Sequence, residues 1–580
     1  MAAAKDAECA ITPHIAPMEM LFHSVDTEKP VKFRVSPAMS PDGLSVAVAV
    51  NKEVFVYSTA NLTVCRPLRV VHRCGIPESC STDRLHCAPS NGSHSRCLSV
   101  QQSREPCTEF SSSMQAMQWS DDSVFLATIC SERSSVQVVC PAQPSWGCSV
   151  SEGAAGLQTA VWVPAQHVLV TIPDFSLHTS VWHIHSGCSQ ALPGSKALAD
   201  GLAFSRSSNR ASHWAALLSR QHGSDFLSWY DTSQTLSCGS AALQEPLWGL
   251  VGPQEPSLLG TKDAARLLMA AGSHSVWVID DPLHAYAEEW SVDGTCLHRL
   301  SLRVSGLGIV TASAHLSPNG GLLVLPTHSG PVHITNALSH DTLLVASCGK
   351  AGQALAGAAT DVFVEVPVGL SDADCKLLQQ EAGQAADKKR TAVNLVHWRE
   401  LHEAQQPAGE SRFVCCTRDV VPAELLPSAV NEVSPPRLGA LVHCSTSTNE
   451  SLMAMVCSSR PSTVCVFETA AGTDARPVAA LCLRSNASSV VWDPSCSRLL
   501  VATATANVLV WEPGRAYAIV SQMGRAQAAV VRSLRAPPVA GAPWLLASRG
   551  RWCTAHATDQ DMPAGPLQGG TMVASSAADS

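Results

Sequence analysis

Short runs with alternating apolar positions, β-branched or aromatic on the apolar side, recur from one end of the chain to the other. They include Val54 to Tyr57, Val136 to Val139, Val181 to Ile184, Phe226 to Tyr230, Val276 to Ile279, Val332 to Ile334, Val464 to Phe467 and Val508 to Trp511. A period of two over so few residues marks a half-buried strand, not a helix. Upstream of several runs stands a cluster of turn formers: Ser40-Pro41-Asp42-Gly43, Ser120-Asp121-Asp122-Ser123, Ser317-Pro318-Asn319-Gly320 and Asp493-Pro494-Ser495-Cys496. Residues of this chemistry reverse a hairpin. An apolar pair such as Val161-Trp162 or Val491-Trp492 precedes the turn, and a second apolar run such as Val124 to Ile129 or Leu499 to Thr503 follows it. The unit is therefore strand, turn, strand, loop, strand.

Nine such units begin near residues 33, 115, 157, 200, 246, 308, 438, 488 and 529, the fifth and ninth being the weakest patterns. With two interruptions set aside, 59–110 and 340–436, they repeat every ~42 residues, the period of a WD40 blade. A single four-stranded blade cannot bury both its faces, and radial stacking around an axis does so while leaving only short edges. The pattern predicts an all-β fold, a WD40-type β-propeller of about seven to nine blades with one helical insertion. Both one large closed ring and a smaller ring with partial blades fit it. Trp119, Trp162, Trp182, Trp277, Trp492 and Trp511 fall at strand positions, where inter-blade packing is their expected role.

The division that follows is an N-terminal extension over 1–32, blades over 33–339, an insertion over 340–437, the remaining blades over 438–557 and a disordered tail over 558–580. Residues 72 to 107 carry His72, Cys74, Cys80, His86, Cys87, His94, Cys97 and Cys107, but without the close ligand pairs of structural zinc loops. A Cys/His-rich loop insertion is expected there, with no metal. Ser371 to Gln406 is rich in helix formers, with Pro407 as a stop, and predicts a helix, followed by a proline-rich connector over 412–437.

Composition narrows function by exclusion. Charged residues are only 15% of the 580, apolar ones 46%, and the net charge of −9 is thinly spread, so there is no footprint of a nucleic-acid or anionic-membrane binder. No apolar stretch reaches the ~18 residues of a spanning helix, and no secretory leader is evident at the start. The 23 cysteines are read mostly as reduced, buried small hydrophobes. GxxxxGK[ST], GxGxxG opening a helix, HExxH and GxSxG are all missing, so neither an enzyme nor a cofactor is expected.

Several stretches resemble a known family. Met117-Gln118-Trp119-Ser120-Asp121-Asp122-Ser123, then Val136-Gln137-Val138, Gln143-Pro144-Ser145-Trp146-Gly147-Cys148 and Glu152-Gly153-Ala154-Ala155-Gly156-Leu157, resemble the second and third repeats of the WD-repeat protein eight family. Tyr286-Ala287-Glu288-Glu289-Trp290, Ser317 to Gly320, Val490 to Pro494 and Val508 to Trp511 are similar to its later repeats. Some blades lack the usual strand-end Trp, as at Val138-Val139-Cys140 and His333-Ile334-Thr335, which marks a divergent member. The resemblance implies a non-enzymatic adaptor in the cytoplasm and cytoskeleton, at the centrosome, spindle pole or basal body. Its implied partner is a coiled-coil satellite or anchoring protein, and its implied roles are microtubule minus-end anchoring and support of cilia. An alternative is a substrate receptor of a cullin-type ubiquitin ligase, although Trp511-Glu512-Pro513-Gly514 and Trp182-His183-Ile184-His185 replace the expected Trp-Asp-x-Arg. A translation-factor-like propeller that contacts RNA or ribosome is disfavoured by the acidic chain.

Trp146, Glu152, Tyr286, Glu288, Glu289 and Trp290 lie in segments read as loops between blades. They are the expected partner-binding residues, aromatic anchors beside acidic groups that would select a basic segment.

Overall fold

The computed structural model describes most of the chain between Glu19 and Thr558. Residues 1–18, 69–98, 101–113, 233–247, 348–360, 368–410, 417–440 and 559–580, with shorter stretches inside loops, lie outside the description. The expected helix over 371–406, most of the Cys/His loop and nearly all of the tail fall there; within that loop Ser99–Val100 is described and pairs with Gln143–Ser151, the fourth strand of blade 2.

The described strands form nine sheets of four or more strands, antiparallel but for one parallel pair in the seventh, and each is one blade. Blade 2 shows the pattern, with strands Ala116–Trp119, Leu126–Cys130, Ser135–Cys140 and Gln143–Ser151 in spatial order. First strands of successive blades begin at Ala38, Ala116, Thr159, Leu202, Ala264, His315, Leu441, Ser489 and Ser533. The fifth blade thus starts at Ala264, not near 246, because Gly249–Val251 and Ser257–Leu258 both pair with the third strand of blade 4.

Three segments set apart in the sequence belong to the ring. Val64–Leu68 is the fourth strand of blade 1, and Thr342–Ser347 is the fourth strand of blade 6. Asp361–Pro367 pairs in parallel with Arg476–Cys482 and antiparallel with Ser411–Cys416, widening blade 7 to six strands. The N-terminal segment is also structural: Glu19–Ser24 pairs with Arg551–Thr558 and supplies the fourth strand of blade 9. That ninth blade is incomplete in sequence order, and only the opposite end of the chain finishes it.

Nine apolar clusters fill the nine junctions between neighbouring blades, including the one between blades 9 and 1, where Leu545 and Trp552 meet Val46, Val48 and Tyr57. The ring is therefore closed. Full burial of both sheet faces explains why second strands such as Leu126–Cys130 and Val168–Ile172 are buried at every position and apolar at all but one threonine each.

The turn clusters act as the sequence suggests. At the first-to-second turn a serine hydroxyl accepts the N–H five residues on and donates to the acid or amide two residues on. This holds for Ser40 with Ser45 and Asp42, for Ser120 with Phe125 and Asp122, and for Ser447 with Leu452 and Asn449. Side-chain capping of the turn backbone is what Ser, Asp and Asn do well. Around the ring, first strands are tied by indoles: Trp119 Nε1 donates to the Ala38 carbonyl at 3.0 Å, Trp162 to Gln118 at 3.2 Å and Trp492 to Ser445 at 3.0 Å. Each acceptor lies two residues before the turn residue of the preceding blade, so register is locked from one blade to the next. Trp182, Trp277 and Trp511 are buried in the clusters between blades 2 and 3, 5 and 6, and 7 and 8.

Candidate protein-interaction face

Of the segments expected to carry partner contacts, those holding Trp146 and Tyr286 to Trp290 are strands while Glu152 lies in the connection between blades 2 and 3, and the acids in them are spent inside the ring. Tyr286–Ser291 is the third strand of blade 5, and Trp146 lies within Gln143–Ser151. Glu288 is 2% exposed, accepts the Trp290 indole N–H at 3.0 Å and pairs with Arg299 at 2.8 Å. Glu289 is buried, accepting from Ser275 at 2.6 Å and facing His340 at 2.7 Å across the blade 5–6 junction. Glu152 is buried as well. It accepts the Thr171 hydroxyl and faces His178 at 3.2 Å, while Thr171 accepts the Trp182 indole at 2.8 Å. Trp290 is buried in the blade 4–5 core, Trp146 packs over Phe125 with ring centroids 4.9 Å apart, and Tyr286 lies under the Arg299 guanidinium at 4.9 Å. The expectation of free acidic groups is corrected: a buried carboxylate must be hydrogen-bonded or paired, and these are, while Trp146 and Tyr286 stay half-buried.

The second-to-third turns and the blade-to-blade loops share one face of the ring. There, blade 3 exposes two large apolar side chains, Phe175 at 89% and Leu177 at 73%. They sit on the turn between Val168–Ile172 and His178–His183. Phe175 and Ser176 both have positive φ, 64° and 48°. Left-handed backbone costs an L-residue about 1–2 kcal/mol, so two in succession persist only where neighbours hold them.

Two glycines do so. A Cβ on Gly194 would stand 1.7 Å from the Ser176 carbonyl oxygen, and one on Gly156 would stand 2.0 Å from Asp174 Oδ2. Gly156 also has φ 72° and ψ 180°, a conformation closed to other residues. The loops before and after blade 3 thus clamp its turn from both sides. By contrast, the equivalent turn of blade 4 is the minimal His222-Gly223 pair, with open space around Gly223.

Beside the turn is an open-mouthed cavity of about 490 Å³ lined by Gln115, Leu157, Gln158, Asp174 and Phe175. Gln115 and Gln158 are repeat equivalents, each donating its backbone N–H to the last residue or near-last residue of its blade's second strand, Ile129 and Ile172. Asp174 makes no ion pair or side-chain hydrogen bond among the described residues. Its neighbours on this face differ: Asp225 and Asp263 are neutralised by Lys196 at 2.7 and 2.5 Å and by Arg220 at 3.3 and 3.2 Å. The signal in the sequence was Pro173-Asp174-Phe175-Ser176, an aromatic in a turn where Asn or Gly is usual, visible only once the strands on either side are aligned.

On the opposite face Asp122 binds His167 Nε2, and His167 Nδ1 meets His185 Nε2 at 2.7 Å, linking blades 2 and 3. Burial raises the Asp122 carboxyl, but hydrogen bonds from Ser120 and His167 outweigh it and leave the group below its usual range. Burial, then the neighbouring His167, holds His185 below the usual imidazole range. Both nitrogens of His167 are engaged, and no group of three potential metal ligands occurs among the described residues. The described cysteines are free thiols, and burial pushes Cys148 and Cys553 up to about 12, far from thiolate chemistry at neutral pH.

No protein-family model matches the chain. It is similar to the WD repeat-containing protein WRAP73 of Mus musculus, 26% identical over 223 residues, which is 38% of this chain and 44% of that protein. The chain thus matches less than half the length of that relative. Among solved structures, the C-terminal WD40 domain of Sif2 aligns over 87% of this chain and 99% of its own, at 10% identity and TM-score 0.40. Sqt1 of Saccharomyces cerevisiae aligns over 93% and 98%, at 10% identity and TM-score 0.42. The chain is a nine-bladed β-propeller, as its own nine sheets show.

Proposed function

We propose that the protein is a non-enzymatic WD-repeat scaffold that works in the cytoplasm at the centrosome, spindle pole or basal body. There it would hold a coiled-coil anchoring protein and support microtubule minus-end anchoring, spindle organisation and ciliogenesis. The observation that carries the scaffold reading is the turn of blade 3: Phe175 and Leu177 stand in solvent on a backbone that two glycine-bearing loops hold in place. Exposed apolar side chains on a rigid frame are what a protein-binding surface requires, because little freedom remains to be lost on docking. The place of action follows from the resemblance of residues 115–185 and the later repeats to the WD-repeat protein eight family.

The test is proximity labelling by the tagged full chain in dividing and in ciliated cells, with microscopy of the same tag. Enrichment of coiled-coil proteins of the spindle pole, with the tag at that pole, is expected. A tag spread evenly through the cell, with no pole protein labelled, refutes the location and the partner class.

A further inference from the structure

We infer that the cavity between blades 2 and 3 is a receptor for an arginine side chain flanked by apolar residues in a partner protein. The inference deepens the scaffold reading and rests on it. It begins with charge. Asp174 lines an open cavity with no cationic side chain paired to it among the described residues, while Asp225 and Asp263 on the same face are already paired with Lys196 and Arg220. A partly exposed carboxylate left over in this way is complementary to an incoming cation, and the net charge of −9 favours its approach.

Acceptor number and shape then select the cation. Gln115 and Gln158 line the same cavity as Asp174, and each side-chain amide carries an acceptor oxygen. A planar guanidinium offers five donors and can meet several acceptors at once, whereas an ammonium is a compact point charge. Phe175 also lines this space, and an aromatic residue beside it favours a weakly hydrated guanidinium over other cations. The buried Leu157 floor suits the apolar stem of the side chain.

Apolar residues beside the arginine have a place to land. Leu177 is exposed on the same turn, two residues from Phe175. The turn cannot drift away, because Gly194 and Gly156 are in contact with its backbone and with Asp174. This preorganisation distinguishes the site from the other exposed apolar side chains, such as Leu258 and Leu297 on outer strands.

The experiment uses the full chain and three capped tripeptides at millimolar concentration: Leu-Arg-Leu, Leu-citrulline-Leu and Leu-Glu-Leu. Saturation-transfer NMR reads their dissociation constants. Leu-Arg-Leu should bind at least tenfold more tightly than the uncharged citrulline peptide, and Leu-Glu-Leu should give no signal. Asp174→Asn should weaken Leu-Arg-Leu at least fivefold and erase its advantage over citrulline, and Phe175→Ala should weaken both peptides at least fivefold. Both substitutions touch side chains outside the core, and an unchanged circular-dichroism spectrum and melting temperature verify that they fold. Equal binding of the three peptides, or Leu-Arg-Leu binding unaffected by Asp174→Asn, overturns the inference. Failure here with spindle-pole proteins still labelled by the wild-type chain sinks the arginine site alone; loss of the labelled set sinks the scaffold reading.

Discussion

Gly194→Ala is the sharpest probe of the clamp on blade 3. The added Cβ would lie 1.7 Å from the Ser176 carbonyl oxygen, 2.8 Å from its carbon and 3.1 Å from the Leu177 carbonyl carbon. All three are backbone atoms, so no rotamer can yield. Restoring a normal separation of ~3.5 Å requires the two segments to part by on the order of 1.5–2 Å. Overpacking of this kind costs about 1–3 kcal/mol, against a gain of about 0.4–1 kcal/mol from the stiffer unfolded chain. A net loss of roughly 1–2 kcal/mol is expected. Gly223→Ala is the matched control: its φ of 84° strains an alanine, but its Cβ meets nothing within 4 Å, so the ~1 kcal/mol lost leaves the blade 3 turn where it is. Urea titration gives both stabilities. Chymotrypsin cleavage after Phe175 and Leu177 under native conditions reports the turn itself. Cleavage at least tenfold faster in Gly194→Ala, with Gly223→Ala at the wild-type rate, is the expected result. Wild-type stability and wild-type cleavage in Gly194→Ala would refute the clamp.

Other consequences are open to the same methods. Trp119→Ala or Trp492→Ala should cost about 3–5 kcal/mol, because each empties an inter-blade site and orphans a carbonyl, and Trp119→Phe should cost less than half as much in the same urea titration. Glu288→Lys should cost about 3 kcal/mol or more and lower soluble yield, since it places a cation opposite Arg299 and leaves the Trp290 indole without its acceptor; a stable, soluble variant would contradict the burial of that pair. Stability should fall as pH drops below ~6.5, the imidazole value in the unfolded chain. Burial keeps His183, His315 and His333 below that value in the fold, so the unfolded state binds more protons in that window and each loss continues until the folded imidazole also titrates. Urea midpoints read between pH 7.5 and 5.5 should show the decline, and His333→Asn should flatten it. A further loss should begin as pH falls into the ordinary carboxylate range: burial raises Glu512, but hydrogen bonds from Arg498 and Arg515 hold it low, so its contribution is present at neutral pH and is gone once pH has fallen through the folded value.

Much of the architecture could be read along the chain because blade structure is written locally. The Ser-x-Asp turns at 40 and 120 and the mostly apolar second strands each encode a feature within ten residues of themselves, and the tryptophans at 119, 162 and 492 reveal theirs by standing at the same place in each repeat. The site was harder. Glu288 and Glu289 look in sequence like any solvent-facing acidic pair, but both are in a central strand whose faces are covered by blades 4 and 6, and partners 11 and 51 residues away hold them. An alternating pattern says which side of a strand an acid is on; it does not say that both sides are buried.

The sequence alone determined a ring of repeated four-stranded units, the turn chemistry that spaces them and the aromatic residues that join them, since all of these depend on periodicity and neighbours in the chain. Closure and the interaction face were decided by tertiary structure. Glu19–Ser24 completes blade 9 by pairing with Arg551–Thr558, a choice dictated by the open strand edge left when eight blades have stacked and not by any local signal. The cavity likewise exists only where Gln115, Leu157, Gln158, Asp174 and Phe175 converge at one junction, and Phe175 stays in its strained conformation only because Gly156 and Gly194, nineteen residues away on either side, press against the turn that carries it.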